Sequence, residues 1–194
     1  MLKTISLTLL ILSLAIGGGA GSVLLLMEST TGVGTFGEGP WSATPRAGTP
    51  DADPYTRARF VREGGVPLGR AEGIAFSASR DSAGAPLNRK CTYRIEGQVP
   101  LARFWTLYAA NPSGMLLPPF ARRQPALHSL MAIRGPGNAY TITVSPHPSP
   151  GNWLATNGEG QMRLHLTLFD TPVSADLPIG HLTLPDITRV SCDA

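Results

Sequence analysis

The sequence has few charged side chains, and this shortage narrows the classes of protein to which it can belong. Aspartate, glutamate, lysine and arginine make up only 15% of the 194 residues, and the formal net charge is +3. The basic residues are scattered along the chain, whereas a nucleic-acid-binding surface needs them clustered on one face. We therefore expect no nucleic-acid partner.

The short motifs that mark common catalytic and metal sites are also missing. The chain contains no Gly-x-Ser-x-Gly turn and no His-Glu-x-x-His helix. Four histidines are present without the spacing of local metal ligands: His128, His147, His165 and His181. We predict no catalytic residue, no metal and no cofactor, and a metal site whose ligands converge from distant strands stays open as an alternative.

Glycine and proline, in contrast, are abundant, with 22 and 18 residues. They separate short segments in which apolar and polar residues alternate, which is the pattern of half-buried strands. Eight segments are predicted as strands: residues 73–79, 91–96, 104–108, 127–133, 140–144, 164–168, 182–184 and 187–191. Within residues 164–168 the leucines are expected to face inward, and His165 and Thr167 to face out. The pattern indicates a mainly-β, jelly-roll-like sandwich over residues 51–194.

The first 28 residues form a long apolar stretch, with no charged residue between Ile5 and Met27. At about 1.5 Å per residue, a helix of this length crosses a hydrocarbon core of about 30 Å. The stretch predicts either a retained signal anchor over residues 1–28 or a signal peptide cleaved near residues 17–22. Cleavage would leave Val-Leu-Leu-Leu-Met close to the new N-terminus in water, so we expect the anchor and a membrane partner for this helix.

The charges beside this stretch predict its orientation. Lys3 precedes it, Glu28 and Glu38 follow it, and the next basic residue is Arg46. Because the positively charged end of such a helix stays in the cytoplasm, we expect a single-pass protein of the bacterial inner membrane whose C-terminal domain faces the periplasm. Cleavage would give a secreted or periplasmic protein instead.

Between the anchor and the strands we predict a linker and one short helix. Residues 29–50 are rich in Gly, Thr and Ser, as linkers are, and Trp41 is expected to dock from there onto the domain. Asp53 is a good N-cap, Pro54 suits the first helical position, and Gly64-Gly65 ends the helix. Its arginines are interpreted as a solvated edge, with a ligand-binding edge as the alternative: Arg57, Arg59 and Arg62.

Cys91 and Cys192 both follow the apolar stretch and would lie in an oxidising compartment. We predict a disulfide between them, with two free buried thiols as the alternative. The bridge would tie an early strand to the last one and close a loop of about 100 residues, which is worth about 4 to 5 kcal/mol in the chain-entropy model.

Aromatic side chains and their neighbours give further candidates for ligand contact. Aromatic residues in strands usually pack in the core, but they can also line a concave sugar-binding or apolar face. Trp153 is predicted to lie in a loop between Gly- and Asn-rich flanks, where no packing role is evident. We therefore predict ligand contacts, as a hypothesis, for Trp153, Asn152 and Trp105.

Several motifs, in chain order, together resemble the bacterial "domain of unknown function 1214" family. They are Gly39-Pro-Trp41, Asp53-Pro-Tyr-Thr-Arg-Ala58, Cys91-Thr-Tyr93, Phe104-Trp105, Gly151-Asn-Trp-Leu154, Leu164-His-Leu-Thr-Leu-Phe169 and Ile187-Thr-Arg-Val-Ser-Cys192. The chain looks like the short exported members, which carry one N-terminal hydrophobic segment. The resemblance implies a jelly-roll-like β domain and no agreed activity. The chain departs from the family pattern at residues 109–111, where an aromatic-Asp pair is usual, and at Ala155, where proline is usual.

These observations support two hypotheses about function. The first is a non-catalytic binding or structural β domain held on a membrane tether. The second is an envelope enzyme that acts on a carbohydrate or a small acid through residues that converge only in three dimensions. A deep pocket with two or more acids or histidines near Trp153 would favour the enzyme.

Overall fold

The computed structural model describes residues 2–28, 34–174 and 182–193. A long helix α1 (Leu2–Glu28) comes first, and a short helix α2 (Pro54–Glu63) separates the second and third strands. The ten strands are β1 (Phe36–Glu38), β2 (Trp41–Ala43), β3 (Gly73–Ala78), β4 (Cys91–Gln98), β5 (Phe104–Ala110), β6 (Ala126–His128), β7 (Ala139–Ser145), β8 (Asn152–Ala155), β9 (Arg163–Phe169) and β10 (Asp186–Cys192). The predicted mainly-β sandwich is confirmed.

The strands form two sheets. The large sheet has the order β1-β2-β3-β9-β5-β6, and the small sheet has the order β10-β4-β7-β8. All pairs are antiparallel except β7 with β8, which run parallel. The hydrophobic core lies between the sheets and contains, among others, Leu164, Leu166 and Leu168 from β9 with Tyr93 and Ile142 from the small sheet. The inward direction predicted for the leucines of β9 is therefore confirmed.

One disulfide joins two neighbouring strands of the small sheet. Cys91 begins β4, Cys192 ends β10, and the two residues lie opposite each other in the antiparallel pair. The predicted Cys91–Cys192 bridge is confirmed, and it spans a sequence separation of 101 residues. It therefore fastens the last strand to the small sheet.

The segment predicted as a linker contains structure. Residues 29–33 lie outside the described part, but β1 and β2 follow them and extend the large sheet. Trp41, in β2, is only 1% exposed, and its indole Nε1 donates a hydrogen bond to the carbonyl oxygen of Pro185 at 2.7 Å. The predicted docking of Trp41 is confirmed, because its buried indole bonds the start of the domain to the segment before β10.

Three predicted elements differ in the structure. Only the first residues of the predicted strand 127–133 pair, in β6, and the chain then turns with Ala132 donating its N–H to the carbonyl oxygen of His128. Residues 182–184 form no strand in the described structure. Residues 152–155, predicted as a loop, form β8 and are buried along their whole length.

Helix α2 begins and ends where the sequence predicts. The carboxylate of Asp53 accepts hydrogen bonds from the N–H groups of Tyr55 and Thr56, each at 3.0 Å. The Thr56 side chain, together with these N–H groups, holds the pKa of Asp53 below its usual value. Gly64 ends the helix in the left-handed conformation that glycine adopts without strain. Thr56 is buried, whereas Val61 is 82% exposed. The buried side of α2 is therefore the side that carries Thr56.

Helix α1 is continuous through its glycines. Its segment Lys3–Leu25 has a mean hydropathy of 2.0, and none of it is buried inside the protein. Length and composition suit a membrane span, and they equally suit a signal sequence near an N-terminus.

Candidate functional site

A cavity of about 590 Å³ lies on the face of the large sheet that points away from the core. Its floor is formed by β2, β3, β9 and β5, and residues 44–68, including part of α2, cover it. The volume is in the range of small-molecule sites, about 300 to 1,000 Å³. This cavity is therefore the candidate functional site.

Two glycines, one in the cover and one in the floor, make close backbone contacts. Gly48 approaches Leu68 so tightly that a Cβ at residue 48 would lie 2.1 Å from the carbonyl oxygen of Leu68. Gly73, at the start of β3, has φ +152°, and a Cβ there would lie 2.0 Å from the carbonyl oxygen of Leu168. Side chains are excluded at both positions, which explains why glycine occupies them.

A row of polar side chains crosses the floor of the cavity. Ser42 of β2 lies opposite Ser77 of β3, Ser77 lies opposite His165 of β9, and His165 lies opposite Tyr108 of β5. Because neighbouring residues in a strand point to opposite faces, this row alternates with the core leucines of β9. The predicted outward direction of His165 is correct, but the residue faces a covered cavity.

His165 and Tyr108 contact each other in this row. Their rings stack with centroids 4.9 Å apart and an interplanar angle of 18°. Burial, with a smaller contribution from the positive charge of Arg163, lowers the pKa of His165 to about 4. Burial also raises the pKa of Tyr108. At neutral pH the cavity floor therefore presents a neutral imidazole and a protonated phenol.

Unpaired polar atoms concentrate around this cavity. Among the described residues, four buried side-chain nitrogen or oxygen atoms have no hydrogen-bond partner: Thr35 Oγ1, Arg59 Nε, His128 Nδ1 and His165 Nε2. Thr35, Arg59 and His165 all line the cavity. A buried polar group without a partner costs about 1 to 3 kcal/mol, so three in one place are unusual in a native protein.

The charges that line the cavity have one sign. Arg59 comes from α2 and Arg163 from β9, and the lining residues in the described part of the chain include no Asp or Glu. Neither arginine forms an ion pair with another described residue. Apolar side chains complete the wall: Phe60, Val66, Leu68, Met115 and Phe169. The site thus combines positive charge, unpaired donors and apolar surface.

A family model described as "Protein of unknown function (DUF1214)" matches residues 72–173, which is more than half of the chain. The chain belongs to the DUF1214 family. Within the matched region lie the floor residues Tyr108, Arg163 and His165, whereas the covering residue Arg59 precedes it.

One solved structure shares the fold of this chain, and a second gives a weaker match. The VPA0106 protein from Vibrio parahaemolyticus matches with a TM-score of 0.61 at 18% identity, over 92% of this chain and 44% of that chain. An uncharacterised protein from Burkholderia cenocepacia matches with a TM-score of 0.47 at 16% identity, over 94% of this chain and 52% of that chain. This DUF1214 chain thus spans about half the length of the solved structures it matches. No match was found among curated proteins.

In this DUF1214 chain Trp153 does not lie on a loop. It belongs to β8 and is 8% exposed, and its Nε1 donates a hydrogen bond to the carbonyl oxygen of Ser145 at 3.0 Å. Phe120 meets its ring edge-on at 5.8 Å, and the guanidinium of Arg123 lies 5.2 Å from the ring centre. The loop position predicted for Trp153 is wrong, because these contacts give the indole a packing role.

Asn152 and Trp105 also have structural contacts. The side chain of Asn152 accepts a hydrogen bond from the N–H of Ile133 at 2.6 Å and donates one to the carbonyl oxygen of the same residue at 2.8 Å. Trp105 is 3% exposed and packs edge-on against Tyr140, with ring centres 5.0 Å apart. Neither residue lines the cavity, nor does Trp153. Ligand contact by the three residues stays a prediction, and the cavity lies elsewhere.

The sequence predictions missed two cavity residues for different reasons. The sequence predicts a solvated helix edge for Arg59, because three arginines in one short helix do not show which of them points inward. His165 carries a clearer signal, since it lies on the polar side of a strand whose other side is entirely leucine. Within the described residues no group of three or more His, Cys, Asp or Glu is arranged to hold a metal ion, and His181 lies outside those residues.

Proposed function

We propose that the chain is a membrane-anchored, non-catalytic binding module of the bacterial envelope, which holds a small ligand in the cavity over the large sheet. One observation carries the proposal: three of the four unpaired buried polar atoms in the described residues belong to residues that line this cavity. Unpaired buried polar groups cost stability, and such costs are typically kept at functional sites.

An envelope enzyme acting on a carbohydrate or a small acid is the second candidate, and the contact between His165 and Tyr108 in the cavity favours it. A general base works best when its pKa lies near the working pH. Burial takes the pKa of His165 to about 4, which makes it a weak base at neutral pH. The paired carboxylates used for sugar hydrolysis are also missing from the described lining residues. These points favour binding over catalysis.

Helix α1 and the disulfide support the location. An apolar segment of 23 residues suits a membrane anchor, and disulfides form and persist in oxidising compartments such as the periplasm. The proposed topology places Lys3 on the cytoplasmic side and the sandwich on the periplasmic side.

Fractionation of the bacterial envelope tests this location. We expect the full chain to stay in the membrane after an alkaline wash, to begin at its first residue, and to accept no alkylating label at Cys91 or Cys192 before reduction. Mature protein that begins near Ser22 and washes off would replace the anchor by a soluble periplasmic domain. Two labels without reduction would contradict the oxidising compartment.

Filling the cavity tests the binding function. Ala75 lies on the floor in β3, and its side chain is exposed to the cavity. Ala75→Trp should therefore block the cavity, whereas Ala75→Ser, the matched control, leaves it open. The probes are 3-phenylpropionate and its uncharged isostere 3-phenylpropanamide, titrated calorimetrically into the full chain in lipid nanodiscs, with empty nanodiscs as blank.

We expect the wild type and Ala75→Ser to bind at least one probe, and Ala75→Trp to bind neither. If the wild type binds neither probe, or if Ala75→Trp binds as well as the wild type, the proposed binding function is wrong.

A further inference from the structure

The cavity that is proposed to bind a ligand also indicates the charge of that ligand. Its described lining carries two guanidinium groups and no carboxylate. Two acids near the cavity form hydrogen bonds with the backbone instead. Glu72 accepts a hydrogen bond from the N–H of Gly69 at 2.8 Å, and Asp53 caps α2. The charge of the arginines is thus unbalanced within the described wall, which favours an anion.

Arg59 is the group best placed to bind that anion. It lies on the partly buried side of α2, and its Nε is buried without a partner. A guanidinium stays protonated in any protein environment, so Arg59 cannot relieve this situation by losing its proton. A carboxylate matches the planar fork of an arginine and forms strong charge-assisted hydrogen bonds with it. The unpaired hydroxyl of Thr35 is a further donor in the same wall.

The neutral groups of the floor suit the same kind of ligand. His165 is a neutral ring at physiological pH, and its unpaired Nε2 is either an N–H donor or an acceptor, depending on the tautomer. Its stacking partner Tyr108 also lines the cavity and keeps its phenolic proton. These groups add polarity without adding negative charge that would repel an anion.

Exposed apolar side chains mark where the rest of the ligand would lie. Val66, in the cover, and Met115, after β5, both line the cavity, and they are 94% and 64% exposed to solvent. They therefore border its opening. An apolar group that lies between them would remove their surface from water, which is favourable.

We propose that the ligand is a small organic carboxylate with an apolar tail, whose head is bound by Arg59 with Arg163 as a second positive charge, and whose tail lies against Val66 and Met115. The proposal rests on the proposed binding function. It goes further, because it assigns the ligand class and the residue that recognises it.

The two probes differ only in charge, so they test the ligand class directly. We expect 3-phenylpropionate to bind the wild-type full chain about tenfold or more tightly than 3-phenylpropanamide, since a charge-assisted bond is lost with the amide. Arg59→Gln should weaken binding of the carboxylate about tenfold and leave binding of the amide unchanged. Arg62→Gln is the matched control, because it removes the same charge from an exposed position of the same helix.

The outcomes separate the two proposals. Equal affinity for both probes, or carboxylate binding that Arg59→Gln and Arg163→Gln leave unchanged, overturns the carboxylate proposal while the binding function stands. Binding of neither probe to the wild type overturns the binding function itself. Thermal unfolding of each variant shows that it is folded, and Arg163→Gln gives an independent reading if Arg59→Gln does not fold.

Discussion

The two faces of strand β9 differ sharply, although they alternate residue by residue. On the inner face Leu164, Leu166 and Leu168 are at most 1% exposed and pack into the core. On the outer face Arg163 and His165 line a cavity. The inner face meets the ordinary requirements of a stable core, whereas the outer face keeps a charge and a buried polar atom without partners. The inner face thus contributes to stability, and the outer face carries the ligand site that we propose.

Removing the disulfide should have the largest effect on stability and should leave the outer face intact. In the chain-entropy model the loop closed by Cys91 and Cys192 is worth about 4 to 5 kcal/mol. We expect the double variant Cys91→Ser, Cys192→Ser to lose about that much free energy of unfolding in urea, with unchanged affinity for 3-phenylpropionate. Lost affinity in a variant that is still folded would show that the small sheet and the cavity are coupled.

Truncating the inner face of β9 should have the next largest effect. Leu166→Ala removes a side chain that is 1% exposed and should lower the free energy of unfolding by about 2 to 5 kcal/mol. Its neighbour on the outer face gives the control, and Thr167→Ala should cost about 1 kcal/mol or less. Equal losses in the two variants would contradict the division of the strand into a packed face and a binding face.

The pH dependence of stability should reveal the covered position of His165. Its pKa is about 4 in the folded protein and 6.5 as the ordinary value, so the unfolded chain takes up a proton first as the pH falls. The stability contributed by neutral His165 is therefore fully present above about pH 6.5, and it is lost as the pH falls from about 6.5 to about 4. The loss of free energy of unfolding should amount to about 3 kcal/mol.

His165→Gln should remove this part of the pH dependence, as measured by urea unfolding at several pH values. His147→Gln, at an exposed position of the chain, should retain it. If the free energy of unfolding depends on pH in the same way in both variants, His165 is not buried under the cover.

The smallest expected effect is a gain in stability at Arg59. Because this arginine has an unpaired buried Nε, Arg59→Met should raise the free energy of unfolding by about 1 kcal/mol while binding of 3-phenylpropionate weakens. The exposed control Arg62→Met should change stability by less than about 0.5 kcal/mol. A loss of stability in Arg59→Met would show that Arg59 is a structural residue.

The inner face of β9 could be predicted because its signal is local. Three leucines at a spacing of two residues define a buried face without knowledge of the neighbours. The disulfide could also be predicted, because two cysteines in a chain allow only one pairing. Both predictions needed only the chain itself.

Strand β8 and the inward direction of Arg59 depend instead on residues that are distant in sequence and close in the fold. Residues 152–155 are buried on both faces, so they show no alternation, and their Gly- and Asn-rich flanks look like a loop. Helix α2 has only 10 residues, and its polar composition does not show which of its faces is buried. The covered cavity could therefore be found only once β3, β5 and β9 were placed under residues 44–68.

A crystal structure of the chain with 3-phenylpropionate tests the central claim most directly. We expect the carboxylate within hydrogen-bonding distance of the Arg59 guanidinium, with the phenyl ring towards Val66 and Met115 at the opening of the cavity. A probe bound at Trp153 instead, with the cavity over the large sheet unoccupied, would contradict the account.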